Sequence, residues 1–76
     1  MKKLDNSVCL TDFGGLIERE RKRLDMTQEE VAKEVGIHRT YYGKIEAGSR
    51  DLPFVTALRI CKVLKIDPSD FIKEYM

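Results

Sequence analysis

A chain of 76 residues with 14 Lys and Arg against 13 Asp and Glu, net charge +1, is one small domain with little bulk attraction for polyanions. That balance excludes a histone-like coating protein, which would be far more basic, but leaves room for a grouped basic face. Cys9 and Cys61 fall in no metal-type spacing, His38 has no Cys/His cluster around it, and no stretch is long and apolar enough for a membrane span or a signal peptide. The expectation is a cytoplasmic protein without metal, cofactor or disulfide framework.

Residues 1–10 read as a loose polar arm. A first helix is expected to start near Thr11 or Asp12, either of which can cap it. It runs through Phe13, Leu16, Ile17, Arg21 and Leu24, an i, i+3, i+4 stripe that is apolar apart from Arg21. Gly14 and Gly15 weaken its first turn. Asp25, which tolerates the left-handed region, ends it. Thr27 and Glu30 then form a Thr-x-x-Glu capping box for a second helix. That helix turns Val31, Ala32 and Val35 to one side and stops at Gly36, after which Ile37 drops into the core.

The third helix opens at His38 or a neighbour and runs to about Ala47, with Tyr42 and Ile45 inward and Gly48 as its stop. Ser49 to Leu52 form a loop. Pro53 suits the first turn of a fourth helix, which is expected to turn Phe54, Leu58, Cys61 and Leu64 inward with Ala57 nearby. Cys61 is then a small core hydrophobe. Asp67-Pro68-Ser69-Asp70 has the chemistry of another start, a capping Asp followed by Pro and an acid. A fifth helix would hold Phe71, Ile72 and Tyr75. The expected fold is all-α: a compact five-helix domain over 11–76 behind the arm.

Only Tyr42 and Ile45 of the third helix face inward. Its free face presents Arg39, Thr40, Gly43 and Lys44, with Tyr41 at the flank. A rigid helix with hydrogen-bonding side chains on its free face is what a DNA major groove accepts. Arg39 suits bidentate bonding to a guanine edge; Thr40 offers a hydroxyl and a methyl. Tyr41 can lie on a base edge or the sugar–phosphate backbone. Lys44 belongs to the same groove-facing group and favours phosphate. Gly43 lets the helix approach the backbone closely, and Ser49 and Arg50 would track the same strand. Phosphate contacts set register and base contacts set sequence. Arg19, Lys22 and Arg23 read as a solvated face.

The unit 28–47, with small Ala32, Gly36 in the turn and Val31, Val35, Ile37, Tyr42 and Ile45 at the junction, resembles the phage repressor and Cro-like helix-turn-helix family, the xenobiotic-response-element type. The resemblance spans about Phe13 to Phe71. The run from His38 to Glu46, then Gly48-Ser49-Arg50, is similar to the controller proteins of restriction–modification systems. Departures are Asp25 for a usual Gly, His38 where Ser, Thr or Asp usually caps, Tyr42 for a smaller aliphatic residue and Glu20 for an apolar one. The resemblance implies that Gln28 lies against a phosphate at a helix N-terminus. It also implies an ion pair between Arg21 and Glu46 that joins the first helix to the end of the third.

One such helix reads only a few base pairs, so a homodimer on an inverted repeat of double-stranded DNA is expected. Val55, Phe71, Ile72, Tyr75 and Met76 are its candidate interface residues. A transcription regulator also meets RNA polymerase, for which no residue marks a surface. The competing expectation is an antitoxin or partner-binding adaptor on the same fold, but only the ten-residue arm is left over for a partner. Enzymatic function is not expected: Gly14-Gly15 is no phosphate loop, and no nucleophile–base pair is present.

Overall fold

Local cap chemistry decides where the helices begin and end. The computed structural model describes residues 6–48 and 52–69, those from 6 to 12 by their backbone alone. Four helices are present among them: α1 (Asn6–Arg23), α2 (Gln28–Val35), α3 (Arg39–Glu46) and α4 (Phe54–Leu64). None is long and apolar enough to cross a membrane.

The α1 helix begins at Asn6, upstream of Thr11 and Asp12, so it occupies part of the stretch read as an arm. Once a helix is nucleated, each added residue gains a hydrogen bond at little cost. Two residues able to cap are therefore absorbed into its interior, and Gly14 and Gly15 are mid-helix instead of first-turn. At the other end Asp25 takes the left-handed conformation, φ 59°, while the Met26 N–H donates back to the Arg21 carbonyl at 3.1 Å.

The capping box of α2 is complete. Thr27 Oγ1 accepts from the Glu30 N–H at 3.0 Å, and Glu30 Oε1 accepts from the Thr27 N–H at 2.8 Å. Gly36 at φ 90° ends α2, its N–H bonded to the Ala32 carbonyl at 2.8 Å. That conformation suits glycine, and it turns the chain into α3 within a few residues. His38 is the N-cap of α3: its Nδ1 accepts from the Thr40 N–H at 3.1 Å, the job a Ser or Asp oxygen usually does. Pro53 stands at the N-cap of α4 and gives it no side-chain bond.

The core is built by Phe13 and Ile17 of α1, Val31, Ala32 and Val35 of α2, Tyr42 and Ile45 of α3, and Ile60, Cys61 and Leu64 of α4. The expectation for α4 is corrected here. Phe54 is 63% exposed and Leu58 36%, and Ile60 takes the buried place. Two apolar faces compete on this helix. The one that meets α1 and α2 carries Ile60 with Cys61 and Leu64, which are buried as expected, and Ala57 half-buried beside them. A five-helix count is likewise not what the described residues show. Asp67 Oδ1 accepts from the Ser69 N–H at 3.0 Å and Pro68 and Ser69 are helical, so the start signal acts. Phe71, Ile72, Tyr75 and Met76 lie outside the described residues.

Candidate nucleic-acid interface

Two side chains anchor α3: Tyr42 and Ile45 are fully buried. The opposite face follows from the helical period. Arg39, Thr40 and Lys44 are exposed, and Tyr41 and Gly43 are half-buried. This brings Arg39, Thr40 and Lys44 onto one solvent face of a short helix whose start is capped and whose body is fixed. Ser49 and Arg50 lie outside the described residues. Val55 is 61% exposed on α4.

A polar cluster holds the far end of α3. Arg21 Nε donates to Glu46 Oε2 at 2.6 Å, and Nη2 to Oε1 at 3.2 Å. Arg21 Nη1 donates to the Met26 carbonyl at 2.9 Å, which ties the pair to the link between α1 and α2. The two side chains are 12% and 5% exposed. Gln28 Nε2 donates to Glu46 Oε1 at 2.8 Å, so three helices converge on one carboxylate. Burial raises the Glu46 pKa, but the polar groups of Arg21, Tyr42 and Gln28 around it, and the Arg21 charge, outweigh it and hold the carboxyl below its ordinary range. On Arg21 the bond to Glu46 likewise reinforces the cation.

Tyr42 is the cluster's unmatched member. Its hydroxyl is buried without a hydrogen-bond partner, although Glu46 and Arg21 are neighbours. Burial first, and Glu46 second, push its phenol pKa upward.

Gly14 explains how α1 and α3 come so close. A Cβ there would lie 2.8 Å from the Ile45 carbonyl oxygen, with the Glu46 carbonyl nearer still. Only a glycine fits this crossing. The signal was in the sequence: Gly14 and Arg21 are two helical turns apart and so share one face. At Gly15, by contrast, an added Cβ meets nothing within 4 Å. Gly43 also has an inner neighbour, since a Cβ would lie 3.5 Å from Gln28 Oε1. Sequence reasoning did not find the Gln28–Glu46 bond, because it depends on a crossing that no local pattern encodes.

Among the described side chains, the other charges of α1 are paired within the helix. Lys22 meets Glu18 at 3.2 Å, and Glu20 meets Arg23 at 2.6 Å and Arg19 at 3.6 Å. The Arg23 bond holds the Glu20 carboxyl below its ordinary pKa. Such exposed pairs contribute little to stability.

A family model described as helix-turn-helix matches residues 17–71. Control protein C.BamHI of Bacillus amyloliquefaciens is 34% identical over 61 residues, 79% of this chain and 75% of that protein. Control protein C.MunI of a Mycoplasma species is 33% identical over 63 residues, covering 82% and 85% of the two chains. Among solved structures, the restriction-modification controller protein C.AhdI from Aeromonas hydrophila superposes with a TM-score of 0.78 at 30% identity, covering 88% of this chain and 97% of the other.

Proposed function

The chain belongs to the helix-turn-helix family, and we propose that it is a control protein of restriction–modification type that binds an inverted-repeat DNA operator as a homodimer and regulates transcription. The observation that carries this is α3 itself: Arg39, Thr40 and Lys44 exposed together on a helix that Tyr42 and Ile45 anchor. A groove reader needs that combination of outward donors and an immobile axis.

In this assignment Arg39 bonds a guanine edge, Thr40 a base or phosphate, and Tyr41 a base edge or the backbone. Lys44 neutralises phosphate. Gly43 lets the backbone approach, and Ser49 and Arg50 follow the same strand. The N-terminus of α2 at Gln28 faces a phosphate with its free N–H groups. A homodimer is supported by Phe54, Val55 and Leu58, which together leave apolar surface on α4 uncovered. Val55, Phe71, Ile72, Tyr75 and Met76 are assigned to its interface, and RNA polymerase is the partner that regulation brings alongside.

The test is a binding selection from a random duplex library at near-physiological salt. Enrichment of an inverted repeat, with half-sites about 34 Å apart, is the expected result. A folded dimer that enriches nothing would refute operator binding and turn the search to a protein partner by pull-down.

A further inference from the structure

We propose that Gln28 is a positioning residue, which fixes the angle of α3 on α2 by holding Glu46; this rests on the DNA-binding assignment above. The helix-turn-helix unit is a hairpin of two eight-residue helices hinged at Gly36–His38. Each helix is about 12 Å long. Gln28 is the first residue of α2 and Glu46 the last of α3. Their 2.8 Å bond therefore joins the two ends farthest from the hinge, where any opening of the angle produces the largest displacement.

The Arg21 bonds do this work only indirectly. They fix Glu46 to α1 and, through the Met26 carbonyl, to the link that enters α2, but make no bond to α2 itself. Dispersion contacts are non-directional and tolerate small rotations, whereas a hydrogen bond to a buried carboxylate does not. Gly43 completes the arrangement. It lies one turn before Glu46, and the Gln28 amide passes over it at van der Waals distance from where a Cβ would be. A branched side chain at 43 would push the amide off its acceptor. The Gln28 side chain thus makes an internal bond with one amide hydrogen, and its second amide hydrogen and the helix N-terminus remain for a phosphate.

The experiment compares Gln28→Met, which keeps length and helix propensity but removes the amide, with the unaltered protein. Melting without DNA is expected to fall by about 4–8 °C. Affinity for the selected inverted repeat should fall about 10-fold, with random duplexes affected much less, because only groove-fitted binding depends on the angle. In an Arg21→Met/Glu46→Met background, where the carboxylate is gone, Gln28→Met should change the affinity less than about 2-fold. Should that background not fold, the melting shift and the specific-to-random ratio decide alone. Unchanged melting, with equal losses on both duplexes, would show a plain phosphate contact and overturn the role. If the unaltered protein binds no duplex, the DNA assignment fails and this role with it.

Discussion

Glu46 is the residue on which most of the unit's polar chemistry turns. Its carboxyl is stabilised as an anion, so its folded-state pKa lies below the ordinary value of 4.5. A depressed carboxyl contributes stability that is present above the unfolded pKa and lost as pH falls through the folded one. Urea-unfolding midpoints are therefore expected to hold steady near neutrality and to decline below about pH 4.5. Glu46→Gln should cost about 3 kcal/mol at pH 7, because it leaves the Arg21 charge buried and unmatched, and should flatten that acid limb. A variant as stable as the parent at pH 7 would mean that solvent screens the pair. Tyr42 supplies a prediction of opposite sign. A buried hydroxyl without a partner costs stability that a phenyl ring does not. Tyr42→Phe should raise stability by about 1 kcal/mol by thermal melting, and a loss would reveal a hydrogen bond to Glu46.

At the scale of elements, adjacent glycines in α1 give opposite answers to the same substitution. Gly15→Ala adds a methyl into open space in a helix interior and should stabilise by about 0.5–1 kcal/mol. Gly14→Ala gains the same propensity but drives a Cβ into the carbonyls of Ile45 and Glu46. The α1–α3 crossing would have to widen, at a net cost of about 1–3 kcal/mol by chemical denaturation. Equal effects at the two positions would mean that α1 slides without penalty. The contrast also marks what a sequence can disclose. Thr27, Glu30, Asp25 and Gly36 act through neighbours a few residues away, so the boundaries of α2 and the end of α1 were legible. The exposed Arg39, Thr40 and Lys44 follow from the helical period once Tyr42 and Ile45 are inward. The α4 reading held for Cys61 and Leu64 but not for Phe54 and Leu58, because apolar character alone does not say which side of the helix α1 and α2 can reach. The start of α1 and the Gln28–Glu46 bond were hidden for a related reason: each depends on propagation or on a crossing, and neither leaves a local mark.

For the whole molecule, the exposed apolar side chains of α4 connect stability, assembly and binding. Phe54, Val55 and Leu58 are the large hydrophobics left exposed among the described residues. They sit on the helix that packs against α1 and α2. If this surface is the dimer interface, two recognition helices face one duplex and the second half-site binds at high effective concentration. Val55→Glu tests the idea with little risk to the monomer, since the side chain is 61% exposed. Sedimentation equilibrium should move toward monomer, and the unfolding midpoint should lose its dependence on protein concentration. Affinity for the full inverted repeat should fall roughly 100-fold, while a single half-site is bound as before. Arg39→Ala should instead lose about 1–3 kcal/mol per half-site, on the isolated half-site as well as on each half of the repeat, and relax the sequence preference, and Lys44→Ala should weaken every sequence alike while reducing the salt slope by about one per protomer bound. These patterns separate assembly from readout: only an interface defect weakens the full site while sparing its half. A Val55→Glu protein that stays dimeric and binds the full site normally would place the two-fold axis elsewhere, away from α4.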